Sequence, residues 1–172
     1  MEDANKKRAY QKLHDNLEDM VKIYRQLLEI VRKEKDILIE AKAESVEETS
    51  YAKDTLLTKA RAMDALRVRY AEEMAGMVSG DTENPRLLEI AQKLGGNEGE
   101  KLRSIHSTLE LLIKRITDFN TENETLAKNA IKALNGQMTE IKETITGKTS
   151  YEKKGQVKLG PSKAGNFVSR EA

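Results

Sequence analysis

A chain of 172 residues is long enough for one domain with a real core. Charged residues make up 34% and apolar ones 38%, with no Trp and only two prolines. That profile suits long amphipathic helices better than a compact α/β or all-β core. Net charge is +1, and the absence of Cys excludes a disulfide framework, a thiol nucleophile and a thiolate metal site.

The N-terminal Met-Glu-Asp-Ala-Asn-Lys-Lys-Arg has no apolar core of the kind a secretory signal needs. No apolar run approaches the roughly 18 residues that span a bilayer, so a cytoplasmic protein without membrane insertion is expected. The first segment places Tyr10, Leu13, Leu17, Met20, Tyr24, Leu27, Val31, Glu34 and Leu38 at 3-4 spacing. Val21, Leu28 and Ile37 widen that stripe. The spacing predicts a helix over residues 3–42 with a heptad seam, about 60 Å long at a rise of about 1.5 Å per residue. Glu34 interrupts the seam; it snorkels to the edge, pairs with a cation or marks a solvated end.

Ser45-Val46-Glu47-Glu48 reads as a capping box opening a second helix over 45–78. Its apolar positions are Val46, Leu56, Leu57, Ala60, Met63, Leu66, Tyr70, Met74 and Met77. The very short connection between the first two helices predicts an antiparallel hairpin. Ser79-Gly80-Asp81 is expected to stop the second helix, with Gly80 as a left-handed cap. Asn84-Pro85 then signals a short helix over 85–94, with Asn as N-cap and Pro in the first turn. Gly95-Gly96 ends it, and Asn97-Glu98-Gly99 reads as a continued break and a hinge.

A third long helix is expected over 100–146. Its seam runs through Leu102, Ile105, Leu109, Leu112, Ile116, Phe119, Asn123, Leu126 and Ala130. It then shifts through a stutter to Leu134, Met138, Ile141 and Ile145. Asn123 stands where Leu or Ile is expected. A polar residue on a seam gives up stability for register or partner choice. It is otherwise a helix-surface residue with no special role. Leu134, Met138 and Ile141 either pack on the hairpin or present a separate apolar stripe to a partner.

Residues 147–172 carry Lys148, Lys153, Lys154, Lys158, Lys163 and Arg170 against Glu152 and Glu171, a net +4 that leaves residues 1–146 at −3. Four glycines are spread through this segment, which reads as a flexible basic tail following a helical domain of residues 1–146. Its cations are too few and too dilute to predict nucleic-acid binding.

Convergent catalytic groups are missing. His14 and His106 are far apart, and neither follows a Glu three residues earlier as in di-metal helical bundles. No HExxH, GxxxxGK[ST] or GxSxG motif occurs. The adjacent pairs Glu47-Glu48 and Glu72-Glu73 point in different directions from a helix and read as solvated surface. No enzyme, metal site or cofactor is expected. The expected fold class is all-α: an elongated antiparallel helical hairpin with a third long helix, coiled-coil-like, and a flexible tail.

The second helix carries Lys53-x-x-Leu56-Leu57-x-x-Ala60-x-x-Met63-Asp64-x-x-Arg67, and the third carries Phe119-Asn120-x-x-Asn123-x-x-Leu126. Tyr151-x-x-x-Gly155 follows. In this order the motifs resemble the FlgN family of flagellar export chaperones over nearly the whole chain. Ala60 and Met63 stand where that family usually has Leu, and Asp64 replaces Glu. The resemblance implies a cytoplasmic chaperone that binds hook–filament junction proteins, prevents their premature assembly and delivers them to the export gate. By position it implies cargo binding by Phe119, Asn120, Asn123, Leu126, Ile131, Leu134, Met138 and Ile141. It implies docking at the cytoplasmic domain of the export gate by Tyr151 and Gly155. The competing reading from the residues alone is a structural or adaptor coiled coil that self-associates.

Overall fold

The computed structural model describes residues 2–42, 44–79 and 81–146. Within them the chain is all-α: α1 (Glu2–Ile39), α2 (Glu44–Met77), α3 (Leu87–Leu94) and α4 (Gly96–Thr146). It divides into two compact units, Met1–Glu124 and Thr125–Ala172, so α4 contributes to both. The expected tail, 147–172, lies outside the described residues.

α1 contains neither Gly nor Pro, so nothing interrupts its hydrogen-bond ladder over 38 residues. Its seam is buried as the spacing predicts: Tyr10, Leu13, Leu17, Met20, Leu27 and Val31 are all closed to solvent. The helix stops at a left-handed residue, Ala41 (φ 54°), and the Lys42 N–H returns to the Ile37 carbonyl at 3.1 Å. That is the Schellman bond pattern, made here without the usual glycine.

α2 returns antiparallel to α1. Lys12 Nζ meets Glu73 at 3.0 Å, Asn16 Nδ2 donates to the Met63 carbonyl at 3.2 Å, and Lys53 Nζ meets Glu34 at 2.9 Å. α2 begins at Glu44, so Ser45 stands inside the first turn and not ahead of it. Its hydroxyl is therefore not the expected N-cap. At the other end Ser79 takes the left-handed conformation (φ 55°). Gly80, expected in that role, lies outside the described residues.

The short helix α3 begins at Leu87, with Arg86 as N-cap and no side-chain cap. Asn84 and Pro85 therefore precede it, because Asp81 organises that stretch as a turn: its carboxylate accepts from the Glu83 and Asn84 N–H groups. Gly95, at φ 64° and ψ −170°, makes the break before α4, and Gly96 follows it with a positive φ of 52°. The five-residue hinge expected over 95–99 is corrected, since α4 starts at Gly96. Gly99 is buried in its first turn, where a Cβ would lie 2.3 Å from the Ala91 carbonyl oxygen. That glycine lets α3 and α4 touch backbone to backbone.

The main core joins Leu13, Leu17 and Met20 of α1 with Met74 of α2, Ile90 of α3 and Leu102 of α4. A smaller cluster forms around Leu27, Leu56 and Ala60. Ala71 and Ala75, neither of them in the apolar stripe read from the sequence, are completely buried beside Met74. Alanine does not raise the periodic signal, yet at a close helix–helix contact it is the residue that fits.

Candidate partner-binding site

The motif on α4 sits where the first unit's packing ends. Phe119 is half-buried, with the Arg32 guanidinium 5.5 Å and the Lys35 ammonium 5.4 Å from its ring centroid. Both distances suit cation–π attraction. Lys35 also reaches Glu122 at 2.6 Å. Asn123 is buried at 4% exposure, and its Nδ2 donates to the Val31 carbonyl at 2.8 Å and to Glu34 Oε2 at 3.0 Å. Lys53 links the same Glu34 oxygen to Asn120 Oδ1, at 2.9 Å in each case. Glu34 therefore pairs with a cation, one of the roles its position on the seam allows. Phe119, Asn120 and Asn123 are held on α1 and α2, an arrangement that fixes one register for this stretch of α4.

The apolar residues expected to bind cargo behave differently in the second unit. Leu126 is half-buried. Ile131, Leu134, Met138 and Ile141 are each between 55 and 67% exposed, and Ile145 is 66% exposed. Their 3-4-3-4 spacing puts them on one face of α4, as the a and d positions of a heptad. Scattered exposed apolar residues are ordinary, but five aligned on one helical face mark an interaction surface. Thr139, Thr144 and Thr146 bond their own helix four residues back, at 2.9, 2.8 and 2.7 Å. Tyr151 and Gly155 lie outside the described residues.

Sequence reading missed a cleft in the first unit of about 480 Å³, floored by Leu17, Met20 and Leu109 with Leu88 and Ile113 half-exposed at its edge. Residues from all four helices build it, so no local pattern announces it. Asp64 and Arg67 pair at 2.8 Å on its wall beside Tyr24. Burial pushes the Tyr24 hydroxyl pKa up; Asp64 adds to the rise and Arg67 opposes it.

His14 faces Asp15 and His106 faces Glu110, each at 3.4 Å, and the Tyr10 ring lies 5.6 Å from the His14 ring. Among the described residues no group of three or more His, Asp or Glu is placed to hold a metal ion. Among them, too, no helix is long and apolar enough to cross a membrane.

Comparison with known proteins gives one family. The family model described as FlgN protein matches residues 1–158, which takes in all four helices together with Tyr151 and Gly155. No curated protein and no solved structure matches the chain. A match over this much of the sequence, on an all-α scaffold carrying the Asn120/Asn123 motif in its expected place, makes the chain a member of the FlgN family of flagellar type III export chaperones.

Proposed function

We propose that this chain binds hook–filament junction proteins in the cytoplasm, keeps them from assembling early and hands them to the flagellar export gate. The observation that supports it best is the apolar face of Ile131, Leu134, Met138 and Ile141, open to solvent in the free chain. An amphipathic cargo segment that orders on binding would lay its own apolar stripe along that face, in the helix-on-groove manner. Ordering the cargo costs free energy, which holds the affinity to a level that permits release without ATP. Phe119, Asn120 and Asn123 serve this reading indirectly, by holding their part of α4 on the hairpin. Leu126 extends the cargo contact. Tyr151 and Gly155 supply the docking point for the gate's cytoplasmic domain, a role that rests on the family alone.

The test is co-purification of the chain with the C-terminal segment of a junction protein, beside a Leu134→Ser/Met138→Ser variant. Binding by the parent and at least tenfold weaker binding by the variant is expected. The variant's thermal midpoint should stay within a degree or two, because both side chains are already in water. Failure of the parent to bind any junction protein would overturn the reading. A self-associating coiled coil through the same heptad face would then be the better account.

A further inference from the structure

α1 and α4 each carry a 3-4 apolar seam, and within the first unit each seam is broken by one polar residue: Glu34 on α1 and Asn123 on α4. The two breaks meet, with Asn123 Nδ2 donating to Glu34 Oε2 at 3.0 Å. α2 supplies the third member at the same level, as Lys53 Nζ approaches that carboxylate oxygen to 2.9 Å. The Lys53 and Glu34 side chains keep only 23% and 22% of their exposure, and Asn123 keeps 4%. Asn123 Oδ1 is buried with no hydrogen-bond partner among the described residues. An apolar side chain there would leave no orphaned acceptor, so stability alone does not account for the asparagine.

From these contacts we infer that Glu34, Lys53 and Asn123 form a registration key. It makes this chain's own hairpin the preferred partner of the α4 seam and disfavours pairing with a second copy. Both donors of the Asn123 amide are used, one on the Val31 carbonyl and one on Glu34. Any other apolar helix laid on that seam would bury the amide without acceptors. α1 runs parallel to α4, since Ile116 packs on the cluster around Leu27 and Asn123, two turns further along α4, meets Val31 and Glu34, further along α1. Slipping α4 by about one heptad would set Glu34 against Ile116 in one direction and Asn123 against Leu27 in the other. Each slip buries a polar group against an apolar one, which is discrimination by penalising the wrong partner. The inference concerns residues 1–124 alone and does not depend on what binds residues 131–145.

The test compares the full chain with Glu34→Leu alone and with the triple variant Glu34→Leu/Lys53→Met/Asn123→Leu. Thermal unfolding and light scattering over a hundredfold concentration range are the readouts. Glu34→Leu alone should lower the midpoint, because Lys53 and Asn123 lose their shared acceptor. The triple variant should recover the parent's midpoint or exceed it, while self-associating at least tenfold more tightly than the parent. A triple variant that fails to fold, or unfolds below the single variant, would overturn the inference by making the cluster a source of stability. A triple variant that folds with the parent's association state would overturn it as well, because partner choice would then lie elsewhere.

Discussion

Tyr10 shows how one buried polar atom governs stability. The residue is 6% exposed, and its hydroxyl has no hydrogen-bond partner among the described residues. Burial is the main force pushing its pKa above the usual 10.0, and the carboxylates of Glu98 and Asp15 add to it. Tyr24 is raised in the same direction, again chiefly by burial. In both cases the folded state favours the neutral phenol. Their contribution to stability is therefore complete below about pH 10 and declines as pH climbs from there through the raised folded value. Denaturant melts of the parent across the alkaline range should show that decline. Tyr10→Phe should shift the onset to higher pH. At neutral pH it should also gain about 1 kcal/mol, since it removes an unpaired hydroxyl while keeping the ring.

The helices divide into parts that sequence patterning could place and parts that only packing defines. The α1 seam is legible because leucine-rich 3-4 spacing over 38 residues has no competing reading. The start of α3 is less so, because Asn84-Pro85 imitates a helix start that Asp81 has already committed to a turn. The start of α4 is harder still. Gly95, Gly96 and Gly99 look alike in sequence, yet Gly95 breaks the helix and Gly99 lies inside it against Ala91. Gly99→Ala, which raises intrinsic helix propensity, should nevertheless destabilise the protein by about 2 kcal/mol, because its Cβ would meet a carbonyl oxygen at 2.3 Å. Equilibrium urea unfolding would measure it. Stabilisation instead would mean that α3 and α4 do not touch at this point.

At the scale of the whole molecule, all the buried side chains among the described residues belong to the first unit, ending at Asn123. Apart from the half-buried Leu126 and Ala127, the second unit contributes exposed helix through Thr146. Cooperative stability therefore resides in the first unit. A chain ending at Ala130 should unfold in one transition within a few degrees of the parent's midpoint, followed by circular dichroism at the helix band. A broad or strongly lowered transition would place cooperative contacts in the removed segment. The candidate site was only partly legible in the sequence. The motif containing Asn120 and Asn123 and the apolar face from Ile131 to Ile141 stood out as one continuous stretch of helix. The structure separates them. Phe119, Asn120 and Asn123 are engaged by Arg32, Lys35, Lys53 and Glu34, whereas the later residues remain open.

The sequence by itself determined the all-α class, the order of the helices, the seam of α1 and the family, because periodicity and local motifs are properties of neighbouring residues. Tertiary structure decided what long-range contact controls. It set Lys53 against Asn120 and Glu34 against Asn123 across 67 and 89 residues of chain, buried Ala71 and Ala75 in the core, and put Gly99 under Ala91. A polar residue on an apolar seam is equally consistent with a surface position, a registration contact or a binding residue. Only the presence of a carboxylate and a carbonyl opposite its amide distinguishes among these, and no local pattern records which side chains will meet.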